Sequence, residues 1–107
     1  MINFDDLRSA NLLRQKEWDT DGAIDLSYRA CELGGEVGEA LNICKKIERE
    51  RRGIRGSRAT VAQLAEELAD VIICCDLIAA DEGIVLSKAV RDKFNATSEK
   101  VGLLTRL

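Results

Sequence analysis

A chain of 107 residues with a formal net charge of −3 suits one small domain and offers no global basic field to hold nucleic acid. The four cysteines form no Cys-x-x-Cys and there is no histidine, which excludes the usual zinc sites, while the absence of proline removes the strongest helix breaker. The acidic start, Met1 to Asp6, carries no apolar signal core and no apolar run is long enough to span a bilayer, so the expectation is a cytoplasmic protein without a membrane partner.

The first expected helix covers residues 4 to about 18. Asn3 can cap it, Asp5 and Asp6 suit the positive end of its dipole, and Phe4, Leu7, Leu12 and Leu13 give it an apolar side. Thr20 or Asp21 can cap a long second helix from about Ala23 to Arg52. Its apolar series Leu26, Ala30, Leu33, Val37, Ala40, Leu41, Cys44 and Ile47 alternates steps of three and four. Gly34, Gly35 and Gly38 lie inside it, each costing about 1 kcal/mol of helix propensity relative to Ala. Close approach of a neighbouring helix or a ligand is expected at these glycines. Gly53 and Gly56 mark a loop crowded by Arg49, Arg51, Arg52, Arg55 and Arg58, either a local basic patch that can draw in a polyanion or simply a solvated loop.

Thr60, with Gln63 three residues on, has capping-box spacing and opens the third helix. Its stripe is Val61, Leu64, Leu68, Val71, Cys75 and Ile78, and Val71 to Cys75 is apolar all round. A helix apolar on more than one side is buried on more than one side, which implies oligomer contacts as well as an internal core. Gly83 ends this helix. Ser87 is expected to cap a fourth, running to about Lys100 with Ala89, Val90, Phe94 and Val101 inward. Cys31, Cys44, Cys74 and Cys75 read as small buried hydrophobes. The fold class is all-α: four helices, bundle-like, two of them long and antiparallel, completed by oligomerisation.

The residue pattern with chemical content is a double one. Glu36 and Glu39 lie three apart on the second helix, Glu67 and Asp70 three apart on the third, so each pair forms one acidic patch. Each acid lies one residue from an apolar line, so antiparallel packing brings both pairs to the edge of the helix 2–helix 3 interface. Glu32 falls on the same stripe one turn earlier, whereas Glu66 faces elsewhere. Gathered carboxylates require a cation or retained protons. An oxygen-only set suits Mg²⁺, Mn²⁺ or Ca²⁺. A di-iron carboxylate bundle would need Glu-x-x-His, and the chain has no histidine. The alternative is that these are ordinary solvent-facing acids on amphipathic helices.

Gly35-Glu36-Val37-Gly38-Glu39, followed by Glu67-Leu68-Ala69-Asp70 and Val71-Ile72-Ile73, resembles the all-alpha nucleoside triphosphate pyrophosphohydrolases of the MazG and dCTP pyrophosphatase type. Their general motif is Glu-Glu-x-x-Glu and then Glu-x-x-Asp; Gly35 in place of the first Glu is a departure shared with the dCTP-pyrophosphatase-like branch. Gln15-Lys16-Glu17-Trp18 is similar to the segment preceding the metal helix in that branch, and Lys93 to Lys100 to the last helix of compact MazG-like proteins.

The resemblance implies hydrolysis of a nucleoside triphosphate, with a deoxynucleotide expected, to the monophosphate and pyrophosphate in nucleotide-pool housecleaning, by a homodimer or homotetramer. It implies that Glu36, Glu39, Glu67 and Asp70 hold Mg²⁺, with Mn²⁺ as a substitute. Gly35 removes one usual general base, leaving Glu32 or a non-ligating oxygen of Glu36 for that role. Trp18 is a candidate for stacking on the base, or alternatively for core packing. Lys93, Asn95 and Lys100 are candidates for holding phosphate or sugar, the alternative for the lysines being solvated surface. Two other functions stay open: a nucleotide-binding or regulatory module without turnover, and a helical interaction module.

Overall fold

The computed structural model describes residues 1–107 as four α-helices and no strands: α1 Phe4–Trp18, α2 Leu26–Arg51, α3 Val61–Asp81 and α4 Leu86–Val101. Local chemistry sets most of the ends. Asn3 and Asp6 form a reciprocal capping box at α1, and Thr60 and Gln63 form another at α3. Past α3, Gly83 adopts φ +68° and Ile84 N–H returns to Ala79 C=O, closing the last turn. Gly53 does the same after α2 at φ +65°, where Ile54 N–H reaches Arg49 C=O.

Two helix starts differ from expectation. The side chain of Asp19 takes the N–H groups of Ala23 and Ile24, which would otherwise be first-turn donors, so residues 19–25 form a turn. Backbone donation from Ile24 holds its carboxyl below the usual carboxylate range. Helix α2 therefore begins three residues later than about Ala23, with Asp25 rather than Thr20 or Asp21 as its cap. At α4 the N-cap is Val85, which makes no side-chain cap bond, and Ser87 already lies inside the helix.

The centre of the fold is α3. Helix α2 packs along most of its length, α1 packs on it separately, and α4 touches α1. The covered line of α2 is Arg29, Leu33, Glu36, Ala40, Ile43 and Ile47, and that of α3 is Leu64, Glu67, Val71, Cys74 and Leu77 or Ile78. Relative to the expected stripes the seam is rotated by about one residue, or 100°. The acids consequently sit within the α2–α3 seam rather than at its edge. The neighbouring lines stay open: Val37 and Leu41 on α2, Val61, Leu68 and Ile72 on α3. In antiparallel helices an offset of +100° on each turns both lines to the same side of the pair.

Only ten residues are buried, and the accessible surface is 7917 Å². A folded monomer of 11.8 kDa exposes about 5,900 Å², some 2,000 Å² less. The radius of gyration is 17.0 Å, against about 13 Å for a compact domain of this length. Ala89, Val90, Phe94 and Val101 are exposed, not inward, because α4 has no second helix to bury them. A Cβ at Gly34, Gly35 or Gly38 would meet nothing within 4 Å, so the close approach expected at these glycines is absent from the single chain. Cys31 and Cys44 are exposed and Cys75 is half-buried, leaving Cys74 as the one cysteine in the core.

The polar interior is built from ion pairs within the chain. Asp76 is fully buried and accepts from Arg8 at 3.0 and 3.1 Å and from Asn11 at 3.0 Å. The arginine that Asp76 meets belongs to the same chain.

Candidate metal and nucleotide site

One carboxylate oxygen from each of Glu36, Glu67 and Asp70 lies within 4.8 Å of the others. The i, i+3 spacing on α3 and the seam position of Glu36 on α2 produce this convergence. Glu36 Oε2 and Glu67 Oε2 are buried and have no hydrogen-bond partner. Desolvation, followed by the charges of Glu39 and Asp70, holds the Glu36 carboxyl above the ordinary glutamate range. Desolvation and the adjacent Glu39 do the same to Glu67. Glu39 is thus the fourth member of the cluster through its effect on both, although its side chain is more exposed.

Buried carboxylate oxygens without donors are expensive unless a cation or proton meets them. The donor set fits a hard divalent cation: oxygen only, from two rigid helices, with no lysine or arginine bonded to it. The 4.8 Å limit is close to the roughly 4.2 Å that spans opposite ligands of Mg²⁺, so small side-chain adjustments bring the oxygens into range.

Beside the cluster lies a cleft of about 240 Å³, lined by Arg14, Gln15, Trp18 and Ile24 on one side and by Arg29, Glu32, Glu36, Asp70 and Cys74 among others opposite. Trp18 is 74% exposed, so it belongs to the cleft rim and not to the core of α1. Glu32 accepts the Cys74 thiol at 3.6 Å. Burial and the adjacent Glu32 push that thiol up to about 12, so Cys74 remains a donor at physiological pH and is not a nucleophile.

Lys93, Asn95 and Lys100 are not among the cleft's lining residues. Lys93 lines a separate apolar groove of about 610 Å³ on α4, together with Val90, Phe94 and Leu103. Asn95 is engaged with the backbone of Leu107, donating at 3.2 Å and accepting at 2.7 Å, and Lys100 is exposed near the end of α4. In the loop, Arg49 is tied to Ser57 and Arg58 to the Ile54 carbonyl, leaving Arg51, Arg52 and Arg55 exposed.

The structure adds residues that periodicity did not single out. Arg29 is buried, paired to Asp81, and donates to Gln15 at 2.8 Å. Its one sequence signal is a charged residue in register with Leu33, Glu36 and Ala40 on the covered line of α2. Arg14 had no such signal. No family model matches the chain, and neither a curated protein nor a solved structure does.

Proposed function

We propose that this chain is a Mg²⁺-dependent nucleoside triphosphate pyrophosphohydrolase of MazG-like type, with a deoxynucleotide as the expected substrate. The observation that carries the reading is the pair of buried, partnerless oxygens on Glu36 and Glu67 within a four-carboxylate cluster that opens onto a cleft with an aromatic rim. Phosphoryl chemistry needs positioning and charge neutralisation more than covalent catalysis.

Glu36, Glu39, Glu67 and Asp70 would hold Mg²⁺, with Mn²⁺ as a substitute. When bound, the ion neutralises the triphosphate and orients its oxygens. Glu32 faces the cleft with one oxygen occupied by Cys74, so its other oxygen can orient a water and take its proton. The water oxygen bonds to the α-phosphorus, the bond from that phosphorus to the α,β-bridging oxygen breaks, and pyrophosphate leaves. Arg14 supplies positive charge to the phosphates and Trp18 a face for the base.

Pyrophosphate release from a panel of dNTPs and NTPs, with Mg²⁺, with Mn²⁺ and with excess chelator, tests this directly. Metal-dependent release is expected. No turnover with any nucleotide overturns the enzyme; nucleotide binding would then favour a regulatory module, and absence of binding a helical interaction module.

A homodimer or dimer of dimers belongs to the same proposal. The surplus of about 2,000 Å² per chain matches what permanent interfaces bury. The open lines Val37, Leu41, Val61, Leu68 and Ile72 supply an apolar face, and Gly34 and Gly38 lower the surface beside it. The 240 Å³ cleft also falls below the roughly 300–1,000 Å³ typical of small-molecule sites, so a second copy would complete its walls. Sedimentation equilibrium should give a dimer or tetramer at micromolar concentration, and Leu68→Lys should shift it toward monomer. A wild-type monomer overturns the proposal.

A further inference from the structure

The net charge of −3 conceals a segregation of charge along the chain. Between Lys45 and Arg58 seven of fourteen residues are basic and two are acidic, a net +5, so the other 93 residues carry −8. The basic stretch comprises the end of α2 and the connection to α3. This connection is tightly built. Gly56 adopts φ +136° with the Arg49 side chain laid against it, so close that a Cβ there would meet the guanidinium at 2.8 Å. Arg49 donates from Nη1 to the Ser57 carbonyl at 3.0 Å and to its hydroxyl at 3.1 Å, and Arg58 donates to the Ile54 carbonyl at 2.6 Å. Ala59 anchors the far end in the core. Two arginines thus hold the backbone and three are left over. Arg51, Arg52 and Arg55 are exposed, and none has a carboxylate partner although the chain carries 19. Crowding unpaired like charges costs folding energy, so a counter-anion at this end is stabilising.

We propose that this basic end is a docking surface for the phosphate backbone of nucleic acid, held without regard to sequence. Guanidinium forks match phosphate oxygens two at a time, and every cation from Arg49 to Arg58 is an arginine. The stretch has no aromatic ring to stack on a base. Its free arginines sit on a helix end and a turn, not on a helix face or ribbon that could enter a groove, so their contacts fall on the backbone. A duplex carries condensed counterions that three free arginines release on binding, a gain that the sparser charges of an acidic protein do not offer. The carboxylate cluster does not cancel this field. Glu39, its nearest member on α2, lies about 18 Å along the helix from Arg51, beyond the roughly 8 Å Debye length at physiological ionic strength.

Fluorescence anisotropy with a labelled DNA duplex of about 20 base pairs tests this, and its outcome is independent of pyrophosphate release. Wild type should bind at 50 mM salt, and raising the salt to 200 mM should weaken binding about fortyfold, the slope for three phosphate contacts. An unlabelled duplex of unrelated sequence should compete equally. Arg51→Gln, Arg52→Gln and Arg55→Gln combined should weaken binding at 50 mM salt at least tenfold without lowering the melting temperature. Arg55→Gln alone, which serves if the triple variant folds poorly, should reduce the salt effect to about twelvefold. Lys100→Gln, which removes an exposed charge from α4, should change neither affinity nor slope. Absence of binding at 50 mM salt, a smaller loss in the triple variant, an unchanged slope in Arg55→Gln or an equal loss in Lys100→Gln overturns the proposal. Displacement of the duplex by polyglutamate or by phosphatidylserine vesicles at equal charge would make the surface a general anion site and overturn nucleic acid as its partner.

Discussion

Glu36→Gln is expected to lower kcat/KM for Mg²⁺-dependent pyrophosphate release by about a thousandfold, while the metal-free protein melts no lower than wild type. The two halves have one cause. Glu36 is in the proposed site to meet a cation, so without that cation its buried oxygen faces Glu39, Asp70 and Glu67 with no compensation. A neutral amide removes a ligand and removes repulsion together. The pH dependence follows with a definite sign. An acid whose folded pKa is raised stabilises the fold while protonated; that contribution is complete below the unfolded value near pH 4.3 and is lost as pH rises through the raised folded one.

Both Glu36 and Glu67 are raised, so the metal-free wild type should lose stability as pH climbs above about 4.3, and Glu36→Gln should flatten the loss. Saturating Mg²⁺ requires deprotonated ligands, so its protection should grow across the same range. Melting curves from pH 4 to 8, with and without Mg²⁺, read all three trends. A large fall in the melting temperature of metal-free Glu36→Gln would show that Glu36 holds the fold and would sink its assignment as a ligand.

What the sequence disclosed and what it hid divide by the range of the interactions. Capping at Asn3 and Thr60 is decided within four residues, and both ends are where the residue types place them. The pairs Glu36/Glu39 and Glu67/Asp70 are also local, since helical spacing alone makes each a patch. Their convergence depended only on α2 and α3 packing antiparallel. The seam's rotation was not legible, because Leu33, Ala40 and Ile47 serve one line and Val37, Leu41 and Cys44 the next, and α2 is apolar enough for either.

The start of α2 was lost to a competing side chain, that of Asp19, acting on donors four and five residues away. Exposure of Phe94 and Val90 reflects what α4 does not touch, which no local pattern records. Hydrogen bonds that tie α1, α2 and α3 together, from Arg29 to Gln15 and Asp81 and from Arg8 and Asn11 to Asp76, span 14 to 68 residues and have no periodic signature.

Asp76→Ala should destabilise the protein by about 3 kcal/mol, enough to lower its melting temperature by more than about 10 °C in a domain of this size. Asp76 is fully buried, and both of its oxygens are used: Oδ1 by Arg8 Nε and Nη2, Oδ2 by Asn11. Removing the carboxylate leaves Asn11, which is 2% exposed, with only a long 3.5 Å bond to the Ile73 carbonyl, and leaves Arg8 holding only the Ile84 carbonyl at 2.8 Å. Arg8 keeps part of its side chain in water, with 23% exposed, which places the cost at the lower end of the range for broken buried pairs.

Asp76→Asn separates charge from hydrogen bonding. The Asn11 amide can reverse to accept from the new amide nitrogen, while Arg8 keeps an oxygen acceptor, so a loss of about half that size is expected. The pair fastens α1 and the start of α4 to α3, away from the carboxylate cluster. Calorimetry should therefore show both variants melting early, with the protection conferred by Mg²⁺ at pH 8 retained. Equal melting temperatures for wild type and Asp76→Ala would mean that the buried ion pair does not hold α1 in place. Loss of Mg²⁺ protection in a folded Asp76→Asn would instead tie the network to the metal site through α3, which carries Asp70 and Asp76 within two turns.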